Sequence, residues 1–321
     1  MDGVSNLVIL TTIYNDWKNL PYFVTEIDSV LQSLDISIEL LIVDDGSLDV
    51  NDGDYDMLRE LGSIRKITIL HLTRNLGHQK AIAIGLAAVY SYGVKHPLVV
   101  MDSDGEDRPR DLPQLLEEFS KTPEIILFAK RSRRSENLGF RIFYGIYKIL
   151  FRLLTGQSIS FGNYSIVPPD ILSRLVYLHE IWNHYAAGIL RSGLPWRTIS
   201  TPRGERYRGE SKMDFTGLIV HGFSAISVFV EILTVRLLFL SLFIILLDLL
   251  AFGILFYVRL FTTLAIPGWA TNVAIGLVIL LFQAILFLTL LTFLVLTNRS
   301  DKHFIPAIDF KTYIRREDRV L

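Results

Sequence analysis

The sequence predicts an α/β domain on a mostly parallel sheet, followed by interfacial amphipathic helices and a two-helix transmembrane hairpin. Three observations carry this. Up to about residue 130, apolar runs of strand length alternate with amphipathic stretches, the pattern of a parallel sheet covered by helices on both faces. Beyond residue 138 the apolar residues recur at helical spacing on one side of each segment. Two apolar runs of about 22 and 24 residues then follow, each long enough to cross a hydrocarbon core of roughly 30 Å.

Leu7–Ile13, Ile38–Val43, Ile67–Leu72, Leu98–Met101 and Ile125–Ala129 read as buried strands, with Leu20–Leu34 and Gln79–Tyr92 as helices between them. Four polar turns follow strands: Tyr14-Asn15-Asp16, Asp44-Asp45-Gly46-Ser47, Thr73-Arg74-Asn75 and Asp102-Ser103-Asp104-Gly105-Glu106-Asp107. Parallel strands place all four on one sheet edge, where open α/β sheets bind ligands.

Leu138–Leu154 gathers Ile142, Phe143, Ile146, Ile149, Leu150 and Leu153 on one face and Arg141, Lys148 and Arg152 on another. That pattern suits an anionic membrane surface and equally an ordinary surface helix. Phe161–Val167 reads as a further strand, stopped by Pro168-Pro169. Pro202–Lys212 is a basic, glycine-containing loop, and Met213–Val235 is an amphipathic helix suited to lying in the membrane interface.

The spans are expected at Leu237–Val258 and Val273–Leu296. Their link, Arg259–Asn272, holds one basic residue, whereas both flanks are rich in them, from Arg203 to Arg236 and from Arg299 to Arg319. The positive-inside rule then places both flanks in the cytoplasm. The expected organisation is a cytoplasmic domain over 1–212, an interfacial helix over 213–235, two spans within 236–298 and a basic cytoplasmic tail over 299–321. The first residues carry no basic region and precede only a short apolar run, so no cleaved signal peptide is expected. Asp248 and Gln283, costly in lipid, are expected to pair across the hairpin or between protomers, and a homo-oligomer stays open.

Composition narrows the chemistry. The chain is 50% hydrophobic with a mean hydropathy of +0.38, which suits a membrane-attached protein. Its formal net charge of -1 gives no bulk-charge support for nucleic-acid binding. Without cysteine, disulfides, thiolate nucleophiles and Cys-ligated zinc are excluded.

The carboxylate turn is the centre of the reading. Crowded acids repel unless a cation sits among them. On extended backbone Asp102 and Asp104 alternate, so both reach one Mg²⁺ or Mn²⁺, with Glu106 adding an oxygen directly or through water. A lone Asp-x-Asp is more simply a solvated turn. No Gly-x-x-x-x-Gly-Lys loop is present to cradle phosphates.

Four blocks raise the signal: Asp44-Asp45-Gly46-Ser47, Arg74-Asn75-Leu76-Gly77-His78-Gln79, Met101-Asp102-Ser103-Asp104 and Arg206-Tyr207-Arg208-Gly209-Glu210-Ser211-Lys212. In this order and spacing the chain resembles the family-2 inverting glycosyltransferases, in particular polyprenyl-phosphate glycosyltransferases and dolichol-phosphate mannose synthases. The resemblance covers roughly residues 7–235 and implies a Rossmann-like GT-A domain. It implies donor binding at Tyr14, Asp16, Asp44, Asp45, Asn75 and His78. It also implies metal and diphosphate binding at Asp102 and Asp104, with Glu106 where relatives often carry Gln. Arg131 and Arg141 would receive the acceptor phosphate, and Arg206, Ser211 and Lys212 would close over the phosphates. Asp45 and Ser47 serve equally as turn caps.

The expected reaction moves a sugar from a UDP- or GDP-linked donor to polyprenyl phosphate on the cytoplasmic face of a membrane, with a bacterial inner membrane as the setting. Two alternatives stand beside it: transfer to a glycan or glycolipid hydroxyl, with Asp104, Glu106 or Asp107 as base, and a catalytically silent membrane scaffold. The chain departs from the resemblance at Asp104-Gly105-Glu106-Asp107-Arg108-Pro109, at Glu180–His184 and at Asn163, where relatives tend to have Asp. Asn163 cannot take a proton.

Overall fold

The computed structural model describes residues 5–48, 61–131, 138–202, 204–208, 215–264, 266, 268–300 and 304–321. In chain order the elements are β1 (Asn6–Ile13), α1 (Leu20–Gln32), β2 (Ser37–Asp44), β3 (Ile64–Leu72), α2 (His78–Ser91), β4 (Leu98–Val100), α3 (Leu112–Ser120) and β5 (Ile126–Arg131). There follow α4 (Leu138–Thr155), β6 (Ser165–Val167), α5 (Pro169–Leu175), α6 (Tyr185–Ser192), β7 (Trp196–Thr201), α7 (Phe215–Ser227), α8 (Val230–Phe261), α9 (Trp269–Ser300), α10 (Pro306–Asp309) and β8 (Ile314–Arg319).

The sheet runs β7-β5-β6-β4-β1-β2-β3-β8. β1 lies parallel to β2 and β4, β2 to β3, and β5 to β7, so the mostly parallel sheet stands. β6 is antiparallel to β4 and β5, and β8 to β3. Side chains alternate between two cores, as period 2 requires. Leu7, Ile9 and Ile13 pack with Phe23 and Ile27 of α1 and Leu115 and Phe119 of α3. Val8 and Leu10 face Ile84 of α2 and Tyr185 of α6 on the other side.

Contacts divide the chain into two units: residues 1–149, 157–228 and 303–321, and residues 150–156 with 229–302. Three expectations change. The segment 213–235 is not one helix: α7 ends at Ser227 and the first long helix already starts at Val230. Of the expected strand 161–167 only Ser165–Val167 pairs, and β7 was missed because Trp196–Thr201 is only half-buried and carries no strong alternation. The tail 299–321 is not set apart: it carries β8, which completes the sheet of the first unit. Its charges hid the strand, since an edge strand needs no apolar run on its open side.

In the second unit α8 and α9 are long and apolar enough to span a membrane, each reaching a mean hydropathy of 2.7. Thr234, Ser241, Asp248 and Leu255 are the buried positions of α8, at a strict seven-residue interval, which makes them one seam along the helix. Gln283 is exposed, so the expected pairing of Asp248 with Gln283 within the hairpin does not form.

Candidate functional site

The ends of β1, β2, β3 and β4 carry the four polar turns to one edge of the sheet and tie them together. Asn15 takes a left-handed conformation (φ 50°), its N–H donates to Ser47 Oγ (2.8 Å), and its Oδ1 accepts from Leu48 N–H (3.0 Å). Gly46 is fixed at φ 73°, and a Cβ there would stand 2.5 Å from the Arg74 carbonyl carbon. Only glycine lets the two turns approach so closely.

Asp44 and Asp45 build these turns. Both are buried, at 1% and 3% exposure. Asp44 accepts from Ser47 N–H (3.0 Å) and meets His71 Nδ1 at 2.8 Å. Burial pushes its pKa up, but the hydrogen bonds from His71 and Ser47 outweigh this and hold it below the usual value. Asp45 accepts from Leu76 and Gly77 N–H (2.7 and 2.9 Å), and there burial wins and raises the pKa. Asp45 and Ser47 build turns through these contacts. A cleft of about 310 Å³ opens beside them, lined by Tyr14, Gly46, Ser47, Leu48, Leu72, Thr73, Arg74, Asn75 and Arg315. Tyr14 and Asn75 thus face the cleft, whereas the Asp16 carboxylate accepts from Asn19 Nδ2 (3.0 Å).

β4 ends at Val100, and residues 102–107 form a turn, so the alternation argued for extended backbone does not operate. The turn gathers the acids in another way. Asp107, 1% exposed, accepts from Asp102 N–H (3.0 Å), and Asp104 Oδ1 accepts from Glu106 N–H (2.9 Å). Arg131, at the end of β5, donates to Asp107 Oδ1 (2.6 Å) and Glu106 Oε2 (2.7 Å) and lies 3.6 Å from Asp102. It was expected on the acceptor side; here it neutralises the acids. Arg206 reaches over to Asp104 Oδ2 (2.6 Å), while Gly204 and Tyr207 N–H donate to the Glu106 and Asp104 carbonyls (both 3.0 Å). The 204–208 loop therefore lies strapped to the carboxylate turn. Gly105 (φ 97°) permits this, because a Cβ would sit 2.7 Å from Glu205 O.

The electrostatics follow from burial and crowding. Desolvation and the neighbouring Asp104 raise Asp102 to about 6, against the pull of Arg131. Burial and Asp102 raise Asp107 to about 7. Acids so raised are ones that gain from a cation. Among the described residues no three His, Asp or Glu side chains are grouped to hold a metal as they stand, and Arg131 and Arg206 pair with the Glu106 and Asp104 carboxylates.

His78, at the start of α2, lies 2.8 Å from Thr12 Oγ1, 3.3 Å from Asp102 and 2.9 Å from Asn163 Nδ2. Asn163 therefore stands beside the acids. His184 is the N-cap of α6, its Nδ1 accepting from Ala187 N–H, and burial and nearby His221 push its pKa down to about 3. It is a structural histidine. The Arg141 side chain, Ser211 and Lys212 lie outside the described residues. Sequence reasoning missed His71, Asp318 and Arg315. A histidine inside the apolar run Ile67–Leu72 was the available signal, since a buried imidazole needs partners; it has them in Asp44 and Asp318 (3.2 Å).

A mostly parallel sheet with helices on both faces and an arginine-neutralised acidic turn at the strand ends defines a GT-A fold of the kind used for sugar transfer. The family model described as Glycosyl transferase family 2 matches residues 8–181, and the chain belongs to that family. The protein is a glycosyltransferase. It is similar to glycosyltransferase YkcC of Bacillus subtilis, 25% identical over 299 residues that cover 88% of this chain and 85% of that protein. It is also similar to undecaprenyl-phosphate 4-deoxy-4-formamido-L-arabinose transferase of Pectobacterium atrosepticum, 25% identical over 68% of this chain and 66% of that one. Among solved structures, glucosyl-3-phosphoglycerate synthase from Mycobacterium tuberculosis, in complex with Mn²⁺, UDP and glucosyl-3-phosphoglycerate, matches with a TM-score of 0.49 at 14% identity. That match covers 71% of this chain and 80% of that one.

Proposed function

We propose that the protein transfers a sugar from a nucleotide diphosphate to polyprenyl phosphate at a membrane surface. The observation that carries this is the strand-end edge itself: a cleft sized for a nucleoside lies along the same edge as an acidic turn held by two arginines. Asp102 and Asp104 would hold a divalent cation, with Glu106 as a further oxygen, and the raised Asp102 marks a carboxylate crowded enough to want one. When bound, such an ion supplies Lewis-acid stabilisation of the leaving diphosphate.

The chain's own groups do the rest. Arg206 and Arg131 orient phosphate oxygens through their N–H forks once those forks exchange carboxylate partners for substrate. The acceptor phosphate is already anionic, so its oxygen attacks the anomeric carbon with no base to deprotonate it, and the nucleoside diphosphate leaves. Asn163, which cannot accept a proton, fits that economy. The hydroxyl-acceptor reading needs a carboxylate base, and Asp107, the best poised at about 7, is buried against Arg131.

Membrane attachment is supported by α8 and α9 and by the exposed apolar residues Ile146, Ile149 and Leu153 of α4 and Phe223 of α7. Both termini and the catalytic unit are proposed to face the cytoplasm. The pairing of β3 with β8 supports the two-span hairpin, because strands before and after it belong to one sheet and so to one side. The test is product analysis: the protein in nanodiscs with Mg²⁺ or Mn²⁺, undecaprenyl phosphate and a panel of nucleotide sugars, read by mass spectrometry. A lipid-linked sugar is expected; transfer only to hydroxyl acceptors would overturn the lipid-phosphate reading. Protease added outside sealed cells should spare residues 1–228, and cleavage there would overturn the topology.

A further inference from the structure

The cleft beside Tyr14 and Gly46 receives one residue from the far end of the chain. β8 pairs antiparallel with β3, with Leu72 opposite Ile314 and His71 opposite Arg316, so Arg315 has no partner in the ladder. A bulge of this kind re-aims the extra side chain, and Arg315 lines the cleft together with Arg74 and Asn75. The strand is pinned on either side of the bulge. Thr73 N–H donates to Tyr313 O (2.9 Å), and Asp318 holds His71 (3.2 Å) while pairing with Arg316 (2.7 Å). Neither Arg74 nor Arg315 makes an ion pair among the described residues.

We propose that Arg315 is a specificity residue for the donor, reading the nucleobase; this rests on the nucleotide-sugar reading above. A guanidinium carries five N–H donors and no acceptor. It therefore favours a base whose exposed edge presents a carbonyl oxygen, uracil or guanine, over one that presents an amino group, cytosine or adenine. An amino group facing Arg315 would leave donors opposed and desolvated. The strand that follows the membrane hairpin thus decides which nucleotide the catalytic sheet accepts.

The experiment measures binding of UDP, CDP, GDP and ADP, with Mn²⁺, to the full chain in nanodiscs by titration calorimetry. UDP and CDP differ on one edge of the base alone, where uracil has a carbonyl beside a ring N–H and cytosine an amino group beside a bare ring nitrogen, so the pair tests a contact to the 4-position. The unaltered protein is expected to prefer the keto member of at least one pair by about tenfold, the size of a good arginine-to-base contact. Arg315→Ala and Arg315→Gln should bring that ratio close to one, because alanine donates nothing and the glutamine amide serves either edge. Arg315→Lys, still a pure donor, should keep the preference and shows that the strand still docks. An unchanged ratio in Arg315→Ala, or equal binding of all four nucleotides by the unaltered protein, overturns the proposal while lipid-linked product leaves the reaction standing. Failure to bind any nucleoside diphosphate overturns the nucleotide-sugar reading and this proposal with it.

Discussion

The two ends of the strand-end edge are built on opposite principles. At the end of β4 the charges are matched within the protein: Asp102, Glu106 and Asp107 meet Arg131, and Asp104 meets Arg206. At the end of β3 the cleft presents Arg74 and Arg315 beside turns already satisfied by Asp44 and Asp45. The first region pairs its own charges, and on the proposed reading would exchange those partners to bind; the second has turns hydrogen-bonded to Asp44 and Asp45, with Arg74 and Arg315 lining the cleft. On the proposed reading, reaction and recognition would be separated along one edge, with internal neutralisation where charge must change and preorganisation where it must only be read.

The largest test of this contrast falls on the acids. Asp102→Ala or Asp104→Ala should lower metal-dependent turnover by about a thousandfold, near 4 kcal/mol of transition-state stabilisation, while the protein stays folded. Steady-state rates with circular dichroism as the folding control check it, and normal turnover in either variant removes the metal assignment. Arg131→Ala should cost about 3 kcal/mol of stability, because it leaves Asp107 buried without its cation. Thermal unfolding would show this, and adding Asp107→Asn should recover part of the loss if internal neutralisation is the cause.

On the recognition side, Gly46→Ala should cost about 2 kcal/mol, since it forces a positive φ and places Cβ against the Arg74 backbone. The same change should weaken nucleotide binding, and unaltered binding would show the cleft tolerates displaced turns. The smallest effect is a pH dependence. Asp44 is held below its usual value of 3.8, so the folded state binds its proton less readily than the unfolded chain. Its contribution to stability is therefore complete above about pH 4 and is lost as the pH falls through the lowered value. The stability gap between the unaltered protein and Asp44→Asn should stay flat above about pH 4 and narrow below it. A gap that widens on acidification would reverse the sign.

Much of this was readable in advance. The strand-helix alternation, the four turns and the two long apolar helices all follow from periods of 2 and 3.6 and from runs of apolar residues, which are local properties. Asp102, Asp104 and Glu106 stood out because acids after an apolar strand are costly without a partner. The family resemblance puts Arg131 at the acceptor, and the sequence alone shows that a base is present but not which acid it will meet. Arg315 was counted only as a basic flank of the second span, since 240 residues separate it from its cleft neighbour Asn75 (315 minus 75).

By itself, the sequence determined the fold class, the acidic turn and the presence of two membrane-length helices, because each depends on neighbours along the chain. Only the tertiary structure decided that the tail returns to the sheet as β8, that Arg131 and Arg206 neutralise the acids, and that Asp44 and Asp45 hold turns. Those outcomes depend on which distant groups share a small buried volume, where every charge and every N–H must find a partner, and pairing across such distances leaves no periodic trace in the chain.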